Sequence, residues 1–299
     1  VNVELVLDAR AIIGESPLWV PPEAALYWAD IKAPALHRFD PESGDCKSWT
    51  LAEDIGAFAL DGDGRALVAL RSGLYWLDLA TGETALAAQA PFDPALIRFN
   101  EGACDSAGRF WVGTMTDPVA DQESERKGLL QSFTAGEGLV PVADVAFITN
   151  GMAWDADEKS FYLSHSLERR IYKFAYDAAA GRLGARQAFA ELDQATPGIP
   201  DGAAVDASGH YWCAIHGGGR LHRYAPDGSL AEVVEMPVSQ PTMCCFAGPQ
   251  LADLYVTSAR EKLDAAALKR EPRAGGLFRL RPPVPGHPRH WRVEVAEAK

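Results

Sequence analysis

The chain has 299 residues, 47% of them apolar, enough to bury a large core in one domain or two. Its 41 acidic side chains against 28 basic ones leave a formal charge of −13, which speaks against non-specific binding to nucleic acid or an anionic membrane. Five cysteines with no CxxC pair exclude a disulfide framework, and adjacent Cys244 and Cys245 read as buried apolar fillers. The first residues lack the pattern of a leader, and no run reaches about 18 apolar residues, so the expectation is a soluble, cytoplasmic protein.

Taken from the N-terminus, the chain reads as short aromatic and β-branched strands between turn signals, the pattern of an all-β fold. After an opening strand in "VNVELVLDA", a weak repeat copy stands at "PLWVPPEAALYWAD" (17–30). Four clear copies follow at "FALDGDGRALVAL" (58–70), "GACDSAGRFWVGT" (102–114), "MAWDADEKSFYLS" (152–164) and "AAVDASGHYWCAI" (203–215). A second weak copy is "CCFAGPQLADLYVTS" (244–258). The aspartates of the clear copies, Asp61, Asp105, Asp155 and Asp206, are 44, 50 and 51 residues apart. Within units, a further strand follows by a short turn, as in "ALHRFDPESG" (35–44) and "RLHRYAPDG" (220–228). Six copies at a period of about 50 residues predict a six-bladed β-propeller of four-stranded blades, filling residues 1–299 as one domain. The opening strand is expected to complete the last blade.

Five residues before each repeat aspartate stand Asn100, Asn150 and Asp201. The same register holds Glu15 in the first unit, where Val20 replaces the aspartate, and Gly56 in the second. Asn or Asp before Gly is ordinary turn chemistry, but turn chemistry gives no reason for Glu15. A ring of Glu15, Asn100, Asn150 and Asp201 at the start of the inner strands would face the axial channel. Oxygen-only donors suit a hard cation such as calcium or magnesium, although zinc or iron also accepts carboxylates. Strand alternation sends Arg98 to the same side as Asn100, unless it forms a surface ion pair with Glu101. Asp117, after the second strand of its unit, is a weaker pocket candidate. His165 and His216 occupy matching strand ends and read as lining or packing. The "HGGG" string at 216–219 has no G-x-S-x-G partner, so a serine esterase reading fails.

"GESPLW", "LYWADI", "RFNEGACDSAGRFWVGTM", "ITNGMAWDADEKSFYLS", "PDGAAVDASGHYWCAIHGGGRL" and "LYVTSAR" together resemble the SMP-30/gluconolactonase family, in order and over nearly the whole chain. The resemblance implies a metal-dependent hydrolase of a sugar aldonolactone, a 1,4- or 1,5-lactone of a pentose or hexose. It implies one divalent cation on the axis, calcium foremost, with zinc, manganese, magnesium or iron as the other candidates. Glu15, Asn150 and Asp201 match the family's metal ligands, and Asp201 also its proposed general base. Arg98 and Asn100 match residues that contact the lactone, and Glu101 and Asp117 join them as substrate-binding candidates. Two departures bear on sugar preference: "RFNE" stands where regucalcin-like members read "RFND", and "GTMTDPV" lacks their substrate-contacting Glu. The rival readings are a propeller arylesterase or organophosphatase and a non-enzymatic calcium-binding or docking propeller. The expected partner is a small sugar lactone, with no nucleic acid, membrane or obligate protein partner.

Overall fold

Each clear copy of the repeat folds around its aspartate. In the computed structural model, which describes residues 2–117, 128–146 and 148–295, Asp61 Oδ1 accepts from the N–H groups of Asp63 and Arg65 at 2.8 and 3.0 Å. Asp105 accepts from Ala107 and Arg109, and Asp206 from Ser208 and His210, at 2.9–3.0 Å. Asp155 does the same for Lys159 and Ser160. A carboxylate that satisfies the amides of the next few residues stabilises a tight turn. Here the turn joins the innermost strand of a blade to the second. Asp105 and Asp206, both buried, also accept from the indole N–H groups of Trp111 and Trp212 at 2.9 and 3.1 Å. The repeat aspartate is therefore architectural.

Six four-stranded antiparallel sheets result, which makes the fold a six-bladed β-propeller. The innermost strands are Gly14–Val20, Ile55–Leu60, Ile97–Cys104, Thr149–Trp154, Ile199–Val205 and Pro241–Ala247, and define blades 1 to 6. In blade 6 the outermost strand is Glu4–Leu7, which pairs with Leu277–Leu280 and closes the ring. One short helix, Ala265–Arg270, was not legible as a repeat feature. Asp264 caps it by accepting from the Ala267 N–H at 2.7 Å.

The core is divided into six apolar clusters, each shared by two neighbouring blades. Tyr27 and Trp49 of blade 1 meet Phe58 and Val68 of blade 2. Around the ring, blades 2 and 3, 3 and 4, 4 and 5, and 5 and 6 share the next four. Trp28 and Phe39 of blade 1 then meet Cys245 and Tyr255 of blade 6. Cys244 and Cys245 sit in these clusters as fillers, and all five cysteines are free. No helix among the described residues is long and apolar enough to cross a membrane.

Every innermost strand changes register against its neighbour near its beginning, between Glu15 and Leu18, Ile55 and Ala57, Phe99 and Gly102, Asn150 and Ala153, Pro200 and Ala203, and Pro241 and Cys244. Such bulges bend a strand and re-aim its side chains. Six at one level turn a ring of side chains inward. At the far end of the channel the C-terminal segment crosses under the ring, bridging Gly286 to Asp206, His290 to Cys104 and Arg292 to Leu60.

Candidate functional site

The bulges bring Glu15, Asn100, Asn150 and Asp201 together, all of them at least nine-tenths buried. The Asn100 amide Nδ2 donates to Asn150 Oδ1 at 2.6 Å and to the Thr149 carbonyl at 2.9 Å. Asn150 Nδ2 donates to Ser166 Oγ at 2.9 Å, which turns its oxygen away from Ser166 and towards Asn100. Arg98 Nη1 donates to Asn100 Oδ1 at 2.9 Å, so Arg98 and Asn100 do share a side of the strand. The two remaining blades give the ring no charge. In blade 2 a Cβ on Gly56 would stand 2.4 Å from the Phe99 carbonyl, so only glycine fits there. Blade 6 contributes Thr242, whose hydroxyl donates to the Gly14 carbonyl at 2.5 Å.

Glu101 departs from the expected arrangement. The register shift between Phe99 and Gly102 places two consecutive residues, Asn100 and Glu101, in the bulge, and Glu101 turns towards blade 4. Its carboxylate accepts from the N–H groups of Gly151 and Met152 at 2.6 and 2.5 Å, so both oxygens anchor the neighbouring bulge. The surface pair weighed between Arg98 and Glu101 is not formed. Arg98 is buried, and its Nε lies 3.3 Å from Asp117 Oδ2. Asp117 is in turn held by Lys32 Nζ at 2.8 Å and Arg71 Nη1 at 2.7 Å, and both cations also reach Asp54 Oδ2, at 2.6 and 3.0 Å.

Burial dominates the electrostatics of the ring. It raises the Glu15 carboxyl to about 7, with the Ser16 amide and the Arg98 and Arg289 charges pulling the other way. Burial and the neighbouring Glu15 raise Glu101 to about 8. Burial and the charges of Glu15 and Glu101 raise Asp201 well above the ordinary range. Burial also pushes His216 down to about 4 and lowers His165, so two strand ends at this mouth carry neutral imidazoles. Arg289 comes up from the crossing segment. Its Nη2 donates to the Gly102 carbonyl at 3.0 Å, and its buried Nη1 has no partner.

No group of three His, Cys, Asp or Glu side chains among the described residues is placed to hold a metal. The ring is a different donor set, two carboxylates with two amides. Carboxylates raised by burial, Asp201 by the charge of Glu15 as well, are groups that a divalent cation would stabilise, and an all-oxygen set fits a hard one. A cavity bounded by Cys104, Met152, Cys245, Phe246 and Arg289 among others lies under the ring and includes none of the side chains of Glu15, Asn100, Asn150 and Asp201. Sequence reasoning missed Ser166, Thr242, Arg289 and the pair Lys32 and Arg71. The "SHS" string after the blade 4 strand held the first in a matching strand-end position.

Residues 13–260 match the family described as SMP-30/Gluconolactonase/LRE-like region. The chain belongs to this family. A relative in Pseudomonas putida, 6-deoxy-6-sulfogluconolactonase, is 38% identical over 287 residues, covering 95% of this chain and 96% of that one. Regucalcin of Gallus gallus is 33% identical over 282 residues, 94% of either chain. Among solved structures, a calcium-binding regucalcin from Agrobacterium tumefaciens superposes with a TM-score of 0.89 at 28% identity, covering 98% of this chain and 97% of that one. Within the family frame, the bulged ring at the channel mouth is the candidate site.

Proposed function

We propose that this family member hydrolyses a sugar aldonolactone to the aldonic acid, with a divalent cation held by Glu15, Asn150 and Asp201. The observation that carries the reading is the convergence of two buried carboxylates with two oriented amides on the propeller axis. Similarity to a sulfogluconolactonase supports the lactone, and similarity to a calcium-binding regucalcin supports calcium as the cation. When bound, the cation supplies Lewis acidity toward a carboxylic ester carbonyl.

The protein groups divide the remaining work. Arg98 is buried, keeps donors to spare and is fixed to Asn100, so it orients a polar lactone without itself moving. The Asn100 amide bridges Arg98 and Asn150 and sets the floor of that contact. Asp201 takes the proton of the attacking water as the water oxygen bonds to the carbonyl carbon. The carbon–ring oxygen bond then breaks, and the ring oxygen takes that proton to become the sugar hydroxyl.

A pH-stat panel of aldono-1,4- and 1,5-lactones and an aryl ester tests this reading, run after chelation and after adding calcium, zinc, manganese, magnesium or iron. Lactone turnover above the spontaneous rate, lost on chelation and restored by one cation, is expected. Turnover of the aryl ester alone would favour the esterase reading. No turnover of any substrate would leave a binding propeller.

A further inference from the structure

The mouth of the channel is charged unevenly, with the carboxylates of the ring on the axis and three cations gathered to one side. Lys32, Arg71 and Arg98 come from blades 1, 2 and 3 and, among the described residues, pair with two carboxylates, Asp54 and Asp117. With Glu15 and Asp201 left to the proposed cation, three cations face two anions among the described residues of this cluster, in a chain whose formal charge is −13. Of the neighbouring carboxylates, Glu15 acts on Arg98 from the ring, and Glu53 is committed to the backbone and hydroxyl of Ser72 at 2.9 and 3.0 Å. The cluster is partly open, with about a fifth to a quarter of the Lys32 and Arg71 side chains exposed. Long cations that are largely out of water and keep donors to spare are poorly satisfied.

The hydrogen bonds show the same shortfall. Lys32 Nζ has three donors and spends two, on Asp54 and Asp117. The Nε of Arg98, 95% buried as a residue, makes no hydrogen bond, because its approach to Asp117 is poorly aligned. Arg98 also joins this cluster to the ring. One end of its guanidinium holds Asn100, and the other faces the carboxylate that Lys32 and Arg71 grip. A sugar seated against Asn100 would lay its far substituent among these cations.

We infer that Lys32, Arg71 and Arg98 form a subsite for an anionic substituent, a sulfonate or phosphate at the end of the sugar remote from the reacting carbonyl. This deepens the lactonase reading and rests on it for the identity of the sugar. Lysine and arginine bind such oxyanions through charge-assisted hydrogen bonds, and an isolated positive patch in an acidic protein draws anions to one mouth. A single excess charge matches sulfonate better than a phosphate dianion.

Equilibrium binding of the open-chain products separates this inference from the hydrolase reading. Isothermal titration calorimetry on the full chain with calcium compares gluconate, its 6-phosphate and its 6-sulfonate counterpart. The sulfonate is expected to bind about tenfold more tightly than gluconate or better, with phosphate between them. Lys32→Gln and Arg71→Gln, checked for an unchanged far-UV spectrum, should each erase most of that preference. Equal affinity for gluconate and both 6-substituted acids would overturn the subsite, as would a preference that survives both substitutions. The sulfonate and phosphate arms decide which oxyanion the subsite takes. Binding preference without any lactone turnover would retain the subsite and sink the hydrolase reading instead.

Discussion

Glu15 and Asp201 are an unfavourable pair without a cation, because each is buried and the charge of Glu15 raises the proton affinity of Asp201. Glu15→Gln removes one charge and keeps the shape. In chelator at pH 8 the substitution should therefore raise the thermal midpoint, by about 2 °C or more for a chain of this size. The same protein should lose most of the further rise that calcium gives the native chain. A lowered midpoint in chelator together with a full calcium response would remove Glu15 as a ligand. Gly151 is constrained twice at this scale. Its φ is +62°, and a Cβ there would lie 2.2 Å from the Tyr211 hydroxyl and 2.4 Å from Ser164 Oγ. Gly151→Ala should cost more than about 3 kcal/mol in urea unfolding, since strain and overlap add. A cost under about 1 kcal/mol would show that this bulge yields easily.

The inner strand with its turn is the unit in which the sequence was most readable. Asp61, Asp105, Asp155 and Asp206 announce the turn because one carboxylate must serve several nearby amides, and that requirement repeats in every blade that uses it. Their costs on removal should still differ. Asp206 is fully buried and holds Trp212 and Arg223 besides two amides, so Asp206→Ala should destabilise by about 3–5 kcal/mol. Asp155 is half-buried and serves two amides, so Asp155→Ala should cost about 1 kcal/mol. Equal costs in chemical denaturation would mean that the wider network adds nothing. Counting five residues back from these turns located the ring for the same reason, since the bulge lies at a fixed distance from the turn. Glu101 escaped that count because a bulge breaks strict alternation, and its side chain serves the adjacent blade. Thr242 was hidden because the sixth copy lacks the aspartate that sets the register. Lys32, Arg71 and Asp54 lie in connections of two blades, and only the closed ring brings them to Asp117. Arg289 belongs to a segment with no repeat at all.

For the molecule as a whole, two sets of groups respond to pH with opposite sign. Burial pushes His37, His216 and His222 down to about 4 from an ordinary 6.5, with charges such as Lys262 and Arg220 adding to it for the last two. The folded state then binds fewer protons than the unfolded one between about 4 and 6.5. Stability from these groups is present above 6.5 and lost as pH falls through 4. Glu15 and Glu101, raised to about 7 and 8, do the reverse. Their stability is present below about 4.5 and lost as pH rises through 7 to 8. In chelator the two carboxyls should offset part of the rise that the three imidazoles give up to pH 6.5, with a decline from there to pH 8. With excess calcium, stability should rise from pH 4.5 to 6.5 and then hold level. Urea midpoints across this range test both curves, and identical profiles with and without calcium would refute the opposition.

The pairing of Glu4–Leu7 with Leu277–Leu280 also puts a time order on synthesis. Blade 6 stands between blades 1 and 5, and its inner strand packs on both of theirs. Glu15 is made well before Asp201, yet the ring that brings them face to face closes only after Leu280 has left the ribosome. Nascent chains therefore pass through a long open stage in which the axial oxygens are scattered, and the proposed capture of a cation would wait for the closed ring.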